Sequence, residues 1–170
     1  MTRTIHDLDI RPLTSDAFAP FGDVIETEGA EHFSINDGTT ERYHNLTRVD
    51  VSAKSGETRV NIFRGQPRPP PIEIKLMERH PLGSQAFIPL QPYDYLVVVA
   101  PVLDRVGPGE ITAFRATGRQ GVNYRRNIWH HPLLVLESDH EFVVIDRGGP
   151  EENYEACYFS SDEEIALLTV

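Results

Sequence analysis

The sequence predicts an all-β protein, a sandwich or barrel of short strands, on three observations. Its 13 Pro and 12 Gly interrupt the 170 residues too often for long helices and suit short elements joined by turns. Between the interruptions, β-branched and aromatic runs recur with turn residues separating them. The stretches between these runs lack the helical periodicity that a parallel α/β sheet would need for its crossovers.

In chain order, residues 1 to about 30 read as an N-terminal arm. Thr14 or Ser15 caps a short helix through Ala19, which Pro20 stops. Residues 59–64 alternate as a strand. Residues 66–71, Gln-Pro-Arg-Pro-Pro-Pro, form a stiff polyproline-like connection between extended segments. Residues 72–78 read as one strand with Ile72, Ile74 and Leu76 on one parity. Residues 86–90 form a short strand, and residues 95–100 are a β-branched run buried on both faces. Strands over 111–115, 122–128, 133–137 and 141–146 follow. Ser160 or Ser161, ahead of Asp162-Glu-Glu164, opens a second helix through Leu168, with its acids at the favourable end of the dipole. The length predicts one domain over residues 1–170, with the arm and the acidic segment 151–170 packed on the barrel or trailing it.

Sixteen basic residues against 26 acidic ones give a net charge of −10, which argues against nucleic acid and anionic membranes as partners. Six of the acids fall in residues 151–170, so the charge says little about any pocket. Fourteen of the basic residues are Arg, the side chain suited to gripping a carboxylate bidentately. The one cysteine, Cys157, allows neither an intramolecular disulfide nor a cysteine-based zinc site. It has no nearby histidine or basic residue to activate it. The N-terminus lacks the apolar core of a secretory signal, and the longest apolar run, residues 96–103, is far too short to span a bilayer. A soluble, cytoplasmic protein is expected.

One segment concentrates chemistry: Met77-Glu-Arg-His80-Pro-Leu-Gly-Ser-Gln85-Ala-Phe87. If residues 81–84 make a turn between antiparallel strands, His80 falls opposite Gln85 and Glu78 opposite Phe87. Glu78, His80 and Gln85 then project from one sheet face, as a metal or acid–base site requires. An ordinary exposed polar face is the alternative reading. The segment resembles the first cupin motif, His-x-His-x4-Glu-x-Phe, with Glu78, His80, Gln85 and Phe87 at its four positions. Arg119-Gln-Gly121-Val-Asn-Tyr124 resembles the second motif, with Tyr124 where that motif has histidine.

The chain as a whole resembles the ureidoglycolate lyase family. The resemblance runs from Pro12-Leu-Thr-Ser-Asp-Ala-Phe18 and Phe21-Gly-Asp-Val-Ile-Glu26 through Ile35-Asn-Asp-Gly38, Glu41-Arg-Tyr-His44, Glu78-Arg-His-Pro-Leu-Gly83 and Gln85-Ala-Phe-Ile-Pro89. It continues through Gly121-Val-Asn-Tyr124, Arg126-Asn127 and Trp129-His-His-Pro-Leu133 to Ile145-Asp-Arg-Gly-Gly149. It implies a cupin-type double-stranded β-barrel with a few short peripheral helices and a homodimer. It also implies a lyase that splits (S)-ureidoglycolate into glyoxylate and urea in allantoin degradation, and a divalent metal such as nickel.

That reaction needs a base for the hydroxyl proton, an acid for the departing nitrogen and a cation for the carboxylate. His80, whose ordinary pKa is nearest neutrality, is the first candidate for proton transfer or metal ligation. Glu78 can orient it, ligate a metal or act as base. Gln85 can bond a ureido group, and Tyr124 can donate to the leaving nitrogen or the hydroxyl oxygen. Glu78, His80 and Gln85 are the candidate metal ligands. Arg64, on one strand parity with Val60 and Ile62, and Arg126, two residues after Tyr124, are candidates for the carboxylate; a structural ion pair would satisfy either equally well. His130 shares parity with Tyr124 and Arg126 and is favoured for the pocket over His131. His44 is a candidate for a pocket or a dimer seam, while His6, His32 and His140 read as solvated. An amidohydrolase releasing ammonia, or a non-catalytic cupin binding a small carboxylic acid, is the alternative function.

Overall fold

The computed structural model describes residues 3–160 and 162–170. Its strands, in chain order, are β1 (Thr4–Asp7), β2 (Ile10–Pro12), β3 (Gly22–Ile25), β4 (His32–Ile35), β5 (Thr40–Tyr43), β6 (Glu57–Gly65), β7 (Ile72–Ile74), β8 (Leu76–Arg79) and β9 (Gln85–Pro89). There follow β10 (Tyr95–Ala100), β11 (Thr112–Ala116), β12 (Gly121–Tyr124), β13 (Trp129–His130), β14 (Leu134–Val135), β15 (His140–Gly148), β16 (Glu155–Tyr158) and β17 (Glu164–Leu168). The α-helix, α1 (Ser15–Phe18), lies where the capping signal placed it. Thr14 is the cap, its hydroxyl accepting from the Ala17 N–H at 3.2 Å.

The strands form three layers and a hairpin. A seven-stranded sheet runs β16-β8-β13-β10-β11-β2, with β14 also on β10. A five-stranded sheet runs β3-β12-β9-β15-β6, and a three-stranded one β1-β17-β7. Strand β10 shows why. Tyr95, Val97 and Val99 enter a core shared with Phe87, Val122 and Phe142 of the five-stranded sheet. The alternate residues Leu96, Val98 and Ala100 enter a second core with Ile72, Ile74, Ala166 and Leu168 of the three-stranded sheet. The seven-stranded sheet is thus the middle layer, and β10 is buried on both faces, as its unbroken apolar run predicts. Each fully buried Val of that run contributes about 1.5–3 kcal/mol. The all-β expectation holds, with the two large sheets standing face to face as an open sandwich rather than closing through hydrogen-bonded strands.

Three local expectations are corrected. Residues 72–78 are two strands, broken at Lys75. Strand β7 joins the three-stranded sheet and β8 the middle one, so Met77 rather than Leu76 is buried. Residues 164–168 are strand β17 and not a helix. It pairs in parallel with β1 and antiparallel with β7, and it buries Ala166 and Leu168 at a strand's spacing of two. The second core needs that cover, and tertiary burial outweighs the helix-start signal. Ser161, one of the two proposed caps, lies outside the described residues. Finally, residues 122–128 do not continue as one strand. After Tyr124 the chain turns through Asn127, whose φ is +66°, and β13 begins at Trp129.

Among the described residues the hairpin β4–β5 pairs only with itself, and its strands are exposed along almost their whole length. Among the described residues, no helix is long and apolar enough to cross a membrane.

Candidate active site

Two cross-strand pairs face each other between the large sheets. Glu78 of β8 lies directly opposite His130 of β13 in the middle sheet. Gln85 of β9 lies opposite Tyr124 of β12 in the five-stranded sheet. Directly opposed residues share a face, so each sheet presents one pair to the gap. His80 stands just after β8, where the chain crosses from one sheet to the other. Gly83 makes the crossing possible, because a side chain there would press on Arg147 and on the Asp50 carbonyl.

This corrects the hairpin expectation. Strand β8 pairs with β13 and β16, and β9 with β12 and β15. His80 and Gln85 therefore meet across the gap and not along a ladder, with His80 Nε2 at 3.2 Å from Gln85 Oε1.

The hydrogen bonds fix which atoms point inward. His80 Nδ1 lies 2.8 Å from the Asn153 carbonyl and His130 Nδ1 lies 3.0 Å from the Ile128 carbonyl. A carbonyl only accepts, so each Nδ1 carries a proton, and each neutral ring keeps a bare lone pair on Nε2. His130 is neutral at pH 7. Burial, reinforced by neighbouring His80, pulls its pKa down to about 3. Its Nε2 lies 3.2 Å from Gln85 Oε1 and 3.6 Å from Glu78 Oε1.

The orientation of Gln85 is set from behind. Its Nε2 donates to Asp146 Oδ2 at 3.2 Å, and Asn61 Nδ2 donates to Asp146 Oδ1 at 3.2 Å. A carboxylate can only accept, so the amide nitrogen faces Asp146 and the oxygen faces the histidines. Lone pairs from Glu78, His80, His130 and Gln85 thus converge with no proton between the Gln85 oxygen and the Nε2 of neutral His130. Ligand atoms of Glu78, His80 and His130 all lie within 4.8 Å of one another. A mixed nitrogen and oxygen set of this kind fits a divalent metal, with imidazole suited to nickel, zinc or iron.

Glu78 is half-buried. Burial raises its pKa, opposed by His80 and by a hydrogen bond from the Tyr154 hydroxyl. Tyr124 is buried and stacks on His130, ring centroids 4.3 Å apart and planes 7° from parallel. Burial first, and the charge of Glu78 second, raise its pKa, so its hydroxyl keeps its proton.

Glu78, His80, Gln85, Tyr124 and His130 are therefore brought together, although His130 arrives on a separate strand after a turn. Both arginines expected to face inward are held in ion pairs. Arg64 is on the outer face of β6, its side chain 63% exposed, donating from Nε at 3.0 Å and Nη2 at 2.8 Å to Glu141. Arg126 sits in the turn after β12 and grips Asp50 bidentately at 2.8 and 3.1 Å. In both, the structural ion pair is what the chain supplies. His44 packs its ring on Phe33 of the hairpin. His131 is buried and bonds the Pro132 carbonyl. His140, expected in solvent, is buried against Tyr93, Tyr95 and Phe142. Tyr154, Asn61 and Asp146 were missed, since only the tertiary fold brings them to the cluster.

Compared with known proteins, residues 5–166 match the family model for ureidoglycolate lyase. The chain is 57% identical over 156 residues to a protein of Brucella anthropi, covering 92% of each. It is 51% identical over 160 residues to one of Stutzerimonas stutzeri, covering 94% of each. A protein of Pseudomonas paraeruginosa is 50% identical over 160 residues, 94% of this chain and 95% of its own. All three relatives are named ureidoglycolate lyase. A match of this extent to the family model, with relatives alike over nearly their whole length, means that the chain belongs to the ureidoglycolate lyase family.

Proposed function

We propose that this chain is an enzyme that cleaves ureidoglycolate to glyoxylate and urea at the Glu78–His80–Gln85–Tyr124–His130 cluster. The observation that carries the reading is the convergence of electron-pair donors from two sheets, in a chain of this family. Ureidoglycolate is a hemiaminal, with hydroxyl, carboxylate and ureido nitrogen on one carbon. Taking the hydroxyl proton lets that oxygen's electron pair form the carbonyl while the carbon–nitrogen pair leaves with urea, which regains one proton. In the metal-free cluster the half-buried Glu78 carboxylate and His80 are the proton-transfer groups; where they hold a metal, their lone pairs would be committed to it. Tyr124 keeps its hydroxyl proton and so acts as a hydrogen-bond donor. His130 is held neutral and stays a lone-pair donor. Gln85, its oxygen turned inward by Asp146, offers an acceptor to the ureido N–H or to a cation.

A divalent metal such as nickel would be held by Glu78, His80 and His130 with Gln85, and would supply Lewis-acid polarisation of a substrate oxygen. The protein is further read as one cytoplasmic, cupin-like domain that acts in allantoin degradation as a homodimer. Two surfaces support the dimer. One is the self-paired hairpin β4–β5, since an isolated two-stranded hairpin is marginally stable in water. The other is the outer face of the five-stranded sheet, where Val60, Ile62, Val143, Ile145 and Ile88 are cross-strand neighbours. Val60 and Ile62 there are 68% and 55% exposed. An antiparallel sheet with one face on the core ordinarily shows polar side chains on the other.

The test is release of glyoxylate, urea and ammonia by metal-analysed protein, with and without a chelator. Equimolar glyoxylate and urea, without ammonia, is the expected result, with activity lost on chelation and restored by one metal. Ammonia in place of urea would overturn the lyase in favour of an amidohydrolase. No turnover above the spontaneous rate would leave a binding protein.

A further inference from the structure

Among the described residues the cluster contains no arginine or lysine for the substrate's carboxylate: Arg64 bonds Glu141 on the outer face, and Arg126, in the turn beside His80, is held bidentately by Asp50. The register of β6 on β15 points to another. Arg59 lies directly opposite Asp146, the carboxylate that orients Gln85. Asn61, two residues along and on the same face, donates to that carboxylate. Arg59 therefore projects toward the site, whereas Arg64, of opposite parity, projects away. The next residue of β15 on this face is Gly148. A Cβ there would collide with the Arg59 Cγ, Nε and Cζ atoms, so the guanidinium lies flat over a glycine that leaves it room. Its ion-pair partner is Glu57 on the same strand, Nη2 to Oε1 at 2.6 Å. Both side chains are more than half exposed, 56% and 64%, and exposed pairs of this kind hold only weakly. Arg59 is thus a guanidinium at the rim of the site that a stronger, bidentate anion can take over.

We propose that Arg59 binds the carboxylate of the substrate, and that Gly148 keeps the space in which it does so. The hydroxyl and ureido groups then reach the cluster while the carboxylate stays at the rim. This inference rests on the lyase reading.

The test compares Arg59→Met, Arg59→Lys, Gly148→Ala and Arg64→Met with the parent enzyme. The readouts are KM and kcat for ureidoglycolate, glyoxylate affinity by calorimetry, metal content and thermal midpoint. Arg59→Met is expected to raise KM and the glyoxylate Kd by roughly 10–100-fold, the effect of losing a charged hydrogen-bonding partner. Metal content and melting temperature should stay unchanged, and kcat should move only a few-fold. Arg59→Lys should recover part of the loss, Gly148→Ala should weaken glyoxylate, and Arg64→Met should change neither constant. A KM and glyoxylate affinity within twofold of the parent in Arg59→Met would overturn the assignment while leaving the lyase intact. A loss confined to kcat would overturn it as well. A parent enzyme that does not release urea would overturn both readings together.

Discussion

Gln85 shows how much one uncharged residue can be made to do. Its amide is locked by Asp146 behind it, so an acceptor faces two histidine lone pairs in front. A cation, a substrate N–H or a proton on His80 Nε2 relieves that polarity. Glu78 and His80 flank the spot and carry the proton chemistry. Replacing His80 with Ala or Glu78 with Gln should therefore lower kcat/KM by about 10²–10⁴, measured by glyoxylate release, with folding retained by circular dichroism. Parent-like rates would remove both residues from the mechanism. These side chains were readable from the sequence, because Glu78, His80 and Gln85 lie within one short motif and Tyr124 in another. Arg59 and Asp146 were not, because their relation to the site exists only in the register of two strands far apart in sequence. The parity argument that turned Arg64 and Arg126 inward fails for a physical reason. Parity says which residues share a face, but not which face the core occupies, and a turn at Asn127 ends parity altogether.

At the scale of elements, most strands were legible as apolar alternation between turn residues, and β10 even announced burial on both sides. The errors fall where a strand changes sheet. The break at Lys75 and the crossing at residues 81–84 both send adjacent segments into different layers, and neither carries a signal beyond ordinary turn chemistry. Strand β17 was hidden by a helix-start pattern that only the uncovered second core could overrule. The exposed aliphatic face of β6 and β15 yields a prediction of its own. A Val60→Lys, Ile62→Lys double variant should run as a monomer in sedimentation analysis where the parent runs as a dimer, because a buried interface cannot accept two unpaired charges. A parent dimer that survives the double substitution would move the interface elsewhere, and a monomeric parent would end the dimer reading.

For the molecule as a whole, buried histidines make stability depend on pH. Burial lowers the pKa of His131 to about 4, whereas an unfolded chain's histidine titrates near its ordinary 6.5. Between those values the unfolded chain binds the extra proton. Stability is therefore complete above pH 6.5 and falls as the pH drops toward 4, by up to about 3 kcal/mol for this residue. Glu78 runs the other way, since its raised pKa favours the folded state as acid protonates it. Urea unfolding at pH 7.5 and pH 5 should show the lower midpoint at pH 5, with His131→Asn flattening the difference. A midpoint that rises on acidification would contradict this account.

The candidate site draws its groups from two sheets that share a core but, among the described residues, no hydrogen-bonded edge. Whatever binds all of these groups bridges both leaves, adding one more tie to the apolar core, the chain crossing at residues 80–84 and the contacts of His80 and His130 with Gln85.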